Sequence, residues 1–219
     1  DGVGELARHQ LATHEGVEVA AASRPESQRR AFTFVDARGE RTITVLGERM
    51  VPRREDPLPW ERLAEVDGLY FTGADPDALR AARKARVLVA SSRVLATLRD
   101  ARVPLDVLVA SATDSGERYV PGDLDPEPGV VVRTAGPAGG EWRSADGRTG
   151  HWAAAAVPGP VGDAYGCGDS FAAGLTFGLA AGGELTEALE LGARCGAACL
   201  AGDGPYAGQL RLSDGSSAQ

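Results

Sequence analysis

The sequence of 219 residues predicts an α/β fold of three layers, in which helices cover both faces of a mostly parallel sheet. Strand-like and helix-like segments alternate regularly between residues 68 and 109. Such alternation indicates parallel strands joined by right-handed crossovers. Two long helices rich in small residues are predicted at Ser170–Ala181 and Leu185–Leu200. A separate pair of β-rich runs near residue 40 adds a small second sheet, which makes the prediction a parallel α/β domain with a β-hairpin attached.

The individual elements follow from apolar periodicity and turn residues. Before residue 68 we expect a helix at Val3–Glu15 closed by Gly16, a strand at Val17–Ala22, a hairpin of Ala31–Asp36 and Arg41–Leu46, and a short helix at Trp60–Val66. Strands are then expected at Gly68–Thr72, Arg86–Ala90, Asp106–Val109 and Val130–Arg133, with helices at Pro76–Ala85 and Ser92–Ala101 and antiparallel segments within Glu141–Ala155. We predict one domain over residues 1–212, with the hairpin at about 30–47 inserted into it and a disordered tail at 213–219.

Composition excludes several classes of protein. The net charge of −8 and the pI of about 5.0 argue against a nucleic-acid partner or an acidic membrane surface. Lys84 is the only lysine, so a Walker A phosphate loop with its lysine is absent. No segment is long and apolar enough to span a bilayer and no secretory signal is visible, so we expect a cytoplasmic protein.

The cysteines and histidines do not form a metal-binding pattern. Cys167, Cys195 and Cys199 fit neither a disulfide framework nor a zinc ligand set. Cys195 and Cys199, four positions apart in a helical stretch of small residues, are expected to be buried free thiols. The three histidines are scattered without ligand spacing and are expected to be surface or structural residues.

The segment Gly162–Gly174 carries the most specific signal in the chain. Gly166, Cys167 and Gly168 are small enough for the backbone to pass close to a bound group, and Asp169 follows just before a long apolar helical run. A tight turn that opens a helix presents unpaired N–H groups at the positive end of the helix dipole, which suits a phosphate or a developing anion. A carboxylate there fits the general base of a kinase. A plain helix cap by the aspartate is the alternative.

This segment resembles the Asp-Thr-x-Gly-Ala-Gly-Asp signature of the ribokinase-like (PfkB-type) carbohydrate kinases. Asp163, Gly166, Gly168 and Asp169 match it, Cys167 replaces the usual Ala, and Ala164 replaces the usual Thr. The resemblance implies that Asp169 is the catalytic base, that Gly166, Cys167 and Gly168 form an anion hole, and that Asp163 lies at the nucleotide. The change at position 164 leaves activation by a monovalent cation open.

Two further motifs extend the resemblance. Thr134-Ala135-Gly136-Pro137-Ala138-Gly139 is similar to the family's Thr-x-Gly-x-x-Gly turn, which implies nucleotide contacts by Thr134, Gly136 and Gly139, with a plain β-turn as the alternative. Ser111 and Asp114 stand where the family usually has Asn-x-x-Glu. Asp114 is therefore the candidate metal residue, acting through water on Mg²⁺; an ordinary surface-loop residue is the alternative.

The hairpin resembles the family's small β-sheet lid over the sugar, which in many relatives also joins two subunits, so a homodimer through the lid is an expectation. The Thr42 and Thr44 region predicts a polar, nonaromatic lid, which favours a sugar over a purine substrate. The family's first strand, Gly-Gly segment and Asn-bearing helix have no counterpart here, and about the first 30 to 45 residues of the pattern are expected to be missing.

The function that the resemblance implies is ATP-dependent, Mg²⁺-dependent phosphorylation of a sugar hydroxyl, with a pentose or hexose such as ribose or fructose as the small-molecule substrate. A nucleoside kinase or a sugar-acid kinase of the same family remains an alternative. A non-catalytic member that binds nucleotide or sugar as a sensor is a second hypothesis of a different class.

Overall fold

The computed structural model of the chain describes residues 1–35 and 41–211. The chain divides into two compact units, Asp1–Pro59 and Trp60–Gln219. A single domain over residues 1–212 with an inserted hairpin therefore stays a prediction. The connection of the hairpin, residues 36–40, and the predicted disordered tail, residues 213–219, lie outside the described residues.

The first unit begins with helix α1, Gly2–Ala12. A carboxylate oxygen of Asp1 accepts the N–H of Gly4 at 3.0 Å, which satisfies one of the unpaired donors at the start of a helix. The predicted helix is confirmed, but it ends three residues earlier than expected. Thr13 closes it, and the Thr13 hydroxyl donates to a carbonyl of the last turn at 2.7 Å.

The hairpin is confirmed as an antiparallel pair of strands, β1 at Arg30–Val35 and β2 at Arg41–Leu46. Its register sets Phe32 opposite Thr44 and Phe34 opposite Thr42. Directly opposed residues project from the same face of a two-stranded sheet, so the face of the threonines is also aromatic. The expectation of a nonaromatic hairpin is wrong, because the sequence pattern does not fix which residues face each other.

The segment Val17–Ala22 is not a strand, contrary to expectation. The sheet of this unit holds only β1 and β2 among the residues that the structure describes. A β-rich run forms a strand only where a neighbouring strand pairs with its backbone, and among the described residues no strand pairs with this segment. Asp56 holds the loop region of this unit together, and it is only 6% exposed. Its carboxylate accepts hydrogen bonds from both terminal nitrogens of Arg24 at 2.6 Å and from the backbone N–H of Arg53 at 2.7 Å.

The second unit is built on a six-stranded sheet in the simple order β3-β4-β5-β6-β7-β8. The first four strands pair in parallel and the last two are antiparallel, as the sequence predicts. Their bounds are Gly68–Phe71, Val87–Ser91, Val107–Ser111, Val130–Thr134, Gly140–Ser144 and Thr149–Trp152. All of the parallel strands therefore point the same way, and their carboxyl ends meet at one edge of the sheet.

Helices cover both faces of this sheet, which confirms the three-layer prediction. Helices α2 (Pro76–Ala82) and α3 (Leu95–Ala101) pack with one set of alternating strand residues, including Leu88 and Leu108. Helices α4 (Cys167–Ala180) and α5 (Leu185–Leu200) pack with the other set: Val89, Val107, Val109 and Val132. The alternation follows the period of two in a strand, and the two apolar layers hold the sheet in place.

Two shorter helices differ from the prediction in type. Trp60–Ala64 is a 3₁₀ helix, and the expected helix over residues 92–101 consists of a 3₁₀ turn, Ser92–Val94, followed by α3. Among the residues that the structure describes, no helix combines the length and the apolar character needed to cross a lipid bilayer.

Candidate active site

The polar ends of the parallel strands define the candidate site. Tyr70 lies near the end of β3, Ser91 ends β4, Ser111 ends β5 and Thr134 ends β6. In open α/β sheets, ligands bind outside the carboxyl ends of the strands, where several loops and helix N-termini converge. The start of α4, which carries Asp169, contributes to the same place through its contact with Tyr70.

Helix α4 begins at Cys167, three residues before the predicted start, with Gly166 as its N-cap. Gly166 has φ = +87°, and a Cβ at this position would lie 2.7 Å from the Cβ of Pro205. Only glycine accommodates both the left-handed backbone and this contact. The turn therefore places Cys167, Gly168 and Asp169 in the first turn of a 14-residue helix.

The N–H groups of this turn are mostly free to bind a ligand. Among the described residues, no backbone or side-chain acceptor binds the N–H of Gly166, Gly168 or Asp169. The N–H of Cys167 differs, because it points to the carbonyl of Ala164 at 3.4 Å. Free N–H groups at the positive end of a helix are the donors that an anion needs. Of the predicted anion hole, the two glycines fit best and Cys167 is partly engaged.

The turn is fixed by the end of α5. The N–H of Gly162 donates to the carbonyl of Leu200 at 2.8 Å, and the N–H of Asp163 donates to the carbonyl of Gly202 at 3.1 Å. Asp163 also accepts the N–H of Tyr165 on its carboxylate at 2.9 Å, which closes a local turn. Asp163 thus shapes the approach to the glycine turn, and its predicted place at the nucleotide stays a prediction.

Cys167 is suited to packing rather than to nucleophilic chemistry. Burial, with the nearby Cys199 thiol as the next cause, raises the pKa of Cys167 to about 11. The Cys167 thiol stays protonated at neutral pH, and a thiol is a weak nucleophile. Of the two cysteines expected to be buried free thiols, Cys199 is a buried free thiol and Cys195 is free but only half-buried.

Asp169 is exposed, and one of its two carboxylate oxygens accepts a hydrogen bond. The hydroxyl of Tyr70 donates to its Oδ1 at 3.4 Å, and among the described residues no group donates to its Oδ2. An exposed carboxylate with a free oxygen, next to free N–H groups, is able to accept a proton from a bound hydroxyl. This is the geometry that a catalytic base requires.

Tyr70 is a site residue that the sequence reasoning missed. It is half-buried, and the side chain of Ser91 is close enough to its hydroxyl to lower the pKa of Tyr70 in part. Burial, followed by the negative charge of Asp169, raises the pKa of Tyr70 well above its ordinary value. The only indication in the sequence that Tyr70 belongs to the site was its position near the end of a predicted parallel strand. Tyrosine is also common in β-strands that have no function, so this position alone did not single it out.

A second missed group is the arginine that joins Asp114 to Glu117. Arg93 donates to Asp114 at 2.7 Å and to Glu117 at 2.5 Å, both through Nη2. The other Asp114 oxygen accepts the N–H of Gly116 at 2.8 Å. This N–H and, after it, the Arg93 guanidinium lower the pKa of Asp114. Asp114 is therefore an ionised carboxylate whose two oxygens already have partners.

The predicted magnesium site accordingly has few protein ligands. Among the described residues, no group of three or more histidine, cysteine, aspartate or glutamate side chains is arranged to hold a metal ion. Ser111 accepts the N–H groups of Thr113 and Asp114 at 3.2 and 3.0 Å, so its oxygen is engaged in the loop. These residues fit an ion held chiefly by phosphate oxygens and water, with Asp114 reaching it through water.

The predicted nucleotide turn forms at the end of β6. Thr134 donates its hydroxyl to the carbonyl of Ala110 at 3.3 Å and is a backbone partner of Ser111. Gly139 has φ = +79°, and a Cβ there would lie 2.0 Å from the carbonyl oxygen of Trp152, so this glycine is required by the neighbouring strand. Gly136 has open space around it. Of the three predicted nucleotide contacts, Gly136 is the most available to a ligand.

A cavity of about 910 Å³ lies beside this region, lined by the loop after β5 and by one face of β6, β7 and β8. Its walls include Asp114, Arg133, Trp142 and His151, but not Asp169 or the glycine turn. The cavity is therefore separate from the place where Asp169 meets the free N–H groups.

The model of the pfkB family carbohydrate kinases matches residues 117–210 of the chain. These residues include Asp163, Gly166, Gly168 and Asp169. The match confirms the resemblance that the sequence motifs indicate. No curated protein sequence matches the chain at a significant level.

Solved structures of kinases are similar to the chain over most of its length. A microbiome-derived acarbose kinase is 21% identical with a TM-score of 0.78, over 98% of this chain and 76% of the other. An E. coli protein described as a ribokinase II, in complex with ATP and Mg²⁺, is 20% identical with a TM-score of 0.69, over 98% and 78%. The adenosine kinase of Sinorhizobium meliloti is 22% identical with a TM-score of 0.70, over 94% and 71%. At these identities the likeness confirms the ribokinase-like fold.

Proposed function

We propose that this protein transfers the γ-phosphoryl group of ATP to a hydroxyl group of a sugar or of a sugar-containing molecule. One observation carries the proposal. The free carboxylate oxygen of Asp169 and the free N–H groups of Gly166 and Gly168 occur together at the start of a 14-residue helix. A proton acceptor and an anion site side by side are what phosphoryl transfer to an alcohol needs.

Asp169 and the glycine turn have different roles in the transfer. Asp169 accepts the proton of the acceptor hydroxyl while the hydroxyl oxygen bonds to the γ-phosphorus and the bond from phosphorus to the ADP oxygen breaks. The N–H groups of the glycine turn donate to the equatorial oxygens of the transferred group, where charge is spread in the transition state. The proton on Asp169 then leaves to water.

ATP as donor is supported by the family match and by the similar structure that contains ATP and Mg²⁺. Gly136 and the rest of the Thr134–Gly139 turn would contact the nucleotide. Magnesium supplies charge neutralisation to the phosphates when bound. Asp114 would orient one of its waters, because both Asp114 oxygens accept hydrogen bonds and can still accept from water.

The class of acceptor is open between sugars and nucleosides. The comparisons include an acarbose kinase and an adenosine kinase with similar TM-scores. Phe32 and Phe34 are 65% and 70% exposed on the hairpin, so aromatic surface for stacking on a base is present in the chain. We propose a sugar kinase first, following the family match, and a nucleoside kinase second on account of these phenylalanines.

A sensor without catalysis is the alternative of a different class. The observation in its favour is the pairing of Asp114 and Glu117 with Arg93, which neutralises the acids nearest to the predicted magnesium position. A protein that only binds nucleotide needs no base, so the intact Asp169 favours the kinase.

The test is the release of ADP from ATP and Mg²⁺ with a panel of pentoses, hexoses, sugar acids, oligosaccharides and nucleosides. We expect one class of acceptor to raise ADP release well above the rate without acceptor. ATP binding by a folded protein, without release of ADP for any acceptor, would support the sensor instead.

A further inference from the structure

We propose that Tyr70 is a positioning residue for the catalytic base: its hydroxyl holds Oδ1 of Asp169 so that Oδ2 faces the acceptor hydroxyl. The inference rests on the proposed function, since it assigns a role to Tyr70 in the same reaction. Tyr70 lies on β3 and Asp169 on α4, 99 positions apart in the sequence. The contact is therefore made by the fold and not by the glycine turn itself.

The hydroxyl of Tyr70 donates to Oδ1 of Asp169 at 3.4 Å, and an ionised carboxylate can only accept, so the direction of this bond is fixed. The side chain of Ser91 acts on the same hydroxyl and lowers the pKa of Tyr70, against the stronger effect of burial. Ser91 is itself held in place, because its hydroxyl oxygen accepts the backbone N–H of Arg93 at 3.2 Å.

The environment keeps Tyr70 a donor. Ser91 is 6% exposed, which leaves little room for water on its side of the Tyr70 hydroxyl. Burial raises the pKa of Tyr70, and the charges of Asp169 and Glu117 raise it further. The charged groups that face this hydroxyl are Asp169 from α4 and Glu117 from the 3₁₀ turn after β5, and Glu117 is itself paired with Arg93. Tyr70 is therefore protonated wherever the enzyme would work.

The consequence for Asp169 is geometric. Its side chain lies on the exposed first turn of α4, where a carboxylate without a partner would sample several rotamers. A proton donor on Oδ1 selects the orientation that leaves Oδ2 free. Small errors in the position of a catalytic group slow a reaction severalfold to a hundredfold, so a weak bond is sufficient for a measurable effect.

The experiment compares Tyr70→Phe with the wild-type protein, using the best acceptor from the panel. We expect kcat to fall about tenfold and the KM for ATP to stay within about twofold, because the nucleotide contacts are untouched. Ser91→Ala should lower kcat in the same direction by less.

Tyr119→Phe is the matched control. Tyr119 is also half-buried and its hydroxyl also donates to a carboxylate, that of Glu127, away from Asp169. We expect its kcat and its KM for ATP to match the wild type. If Tyr70→Phe folds poorly, kcat is calculated per ATP-binding site, so that the fraction of active protein does not affect it.

The outcomes separate this inference from the proposed function. Wild-type turnover that Asp169→Asn abolishes and that keeps its kcat in Tyr70→Phe would overturn the role of Tyr70 alone. Wild-type protein without acceptor-dependent turnover, or Asp169→Asn with full turnover, would overturn both.

Discussion

The guanidinium of Arg93 lies 2.7 Å from the carboxylate of Asp114 and binds Glu117 through the same nitrogen. This arrangement gives the predicted metal residue a fixed orientation. It also removes part of the negative charge that would otherwise attract a divalent cation. Asp114 is 47% exposed in its side chain, so water reaches the pair. The protein thus offers a magnesium ion an orienting carboxylate rather than a cage of ligands.

The first prediction concerns the requirement for magnesium. Asp114→Asn removes the carboxylate that would order a metal-bound water. Loss of such an indirect contact typically lowers the affinity for the metal about tenfold or more. We expect the Mg²⁺ concentration for half-maximal ADP release to rise by about that factor. Arg93→Gln is the matched variant, and it should lower this concentration because it leaves both acids unpaired. An unchanged magnesium curve in Asp114→Asn would remove Asp114 from the metal site.

The second prediction concerns the stability of the first unit. The hydrogen bond from Arg24, followed by that from the Arg53 N–H, lowers the pKa of Asp56 below its ordinary value. A carboxyl group whose pKa is lower in the folded than in the unfolded state stabilises the fold above the unfolded pKa and loses this effect as the pH falls. Asp56→Asn should therefore lower Tm at pH 7, and the difference from the wild type should shrink below about pH 4. Thermal unfolding across this range measures it.

The control for Asp56 is Asp77→Asn. Asp77 pairs with Arg80 on the surface of α2, where its side chain is 70% exposed. Exposed pairs contribute little to stability, so this variant should keep the wild-type Tm at both pH values. Equal effects of the two substitutions would show that the buried position of Asp56 does not matter.

The third prediction concerns the packing of α4 on α5. A Cβ at Gly178 would lie 2.8 Å from the Cα of Ala188, so the two helix backbones are too close for a side chain there. Gly178→Ala should destabilise the protein by about 1–3 kcal/mol, which corresponds to a loss of several degrees in Tm. Gly2→Ala on α1 is the control, because a Cβ at Gly2 would meet nothing within 4 Å. A neutral or stabilising Gly178→Ala would contradict the close contact.

The fourth prediction concerns the two glycines of the proposed anion site, of which only Gly166 is also required by the packing of the turn. A Cβ at Gly168 would meet no protein atom within 4 Å, whereas one at Gly166 would clash with Pro205. Gly168→Ala should therefore leave Tm nearly unchanged and lower kcat about tenfold or more, because the added methyl group occupies the space of the transferred phosphoryl group. Gly166→Ala should lower Tm as well. Full activity of Gly168→Ala would place the anion elsewhere.

Much of the fold could be predicted from the sequence because it depends on local patterns. The strand and helix alternation gave the parallel part of the sheet, and α5 has the predicted bounds, Leu185–Leu200. The glycine turn before Asp169 was also visible, since its signal lies within a few consecutive residues. The register of the hairpin could not be predicted, because no local pattern states which residues of the two strands lie opposite each other. The phenylalanines of β1 were therefore not expected on the same face as the threonines of β2.

The remainder of the candidate site could not be read from the sequence. Tyr70, Arg93 and Glu117 come from three different segments and meet only where the carboxyl ends of the parallel strands converge. Each has an ordinary explanation in its own segment, as a strand tyrosine or a surface charge. Their roles depend on partners far away in the chain, which no local pattern encodes.

The rate of phosphoryl transfer by Asp169→Asn tests the central claim most directly. Asparagine keeps the size and the place of the side chain but cannot accept the proton. With the best acceptor at saturation, kcat should fall by at least about a hundredfold, while ATP binding and Tm remain close to the wild type. A variant that folds, binds ATP and transfers phosphate at the wild-type rate would contradict the assignment of Asp169 as the catalytic base.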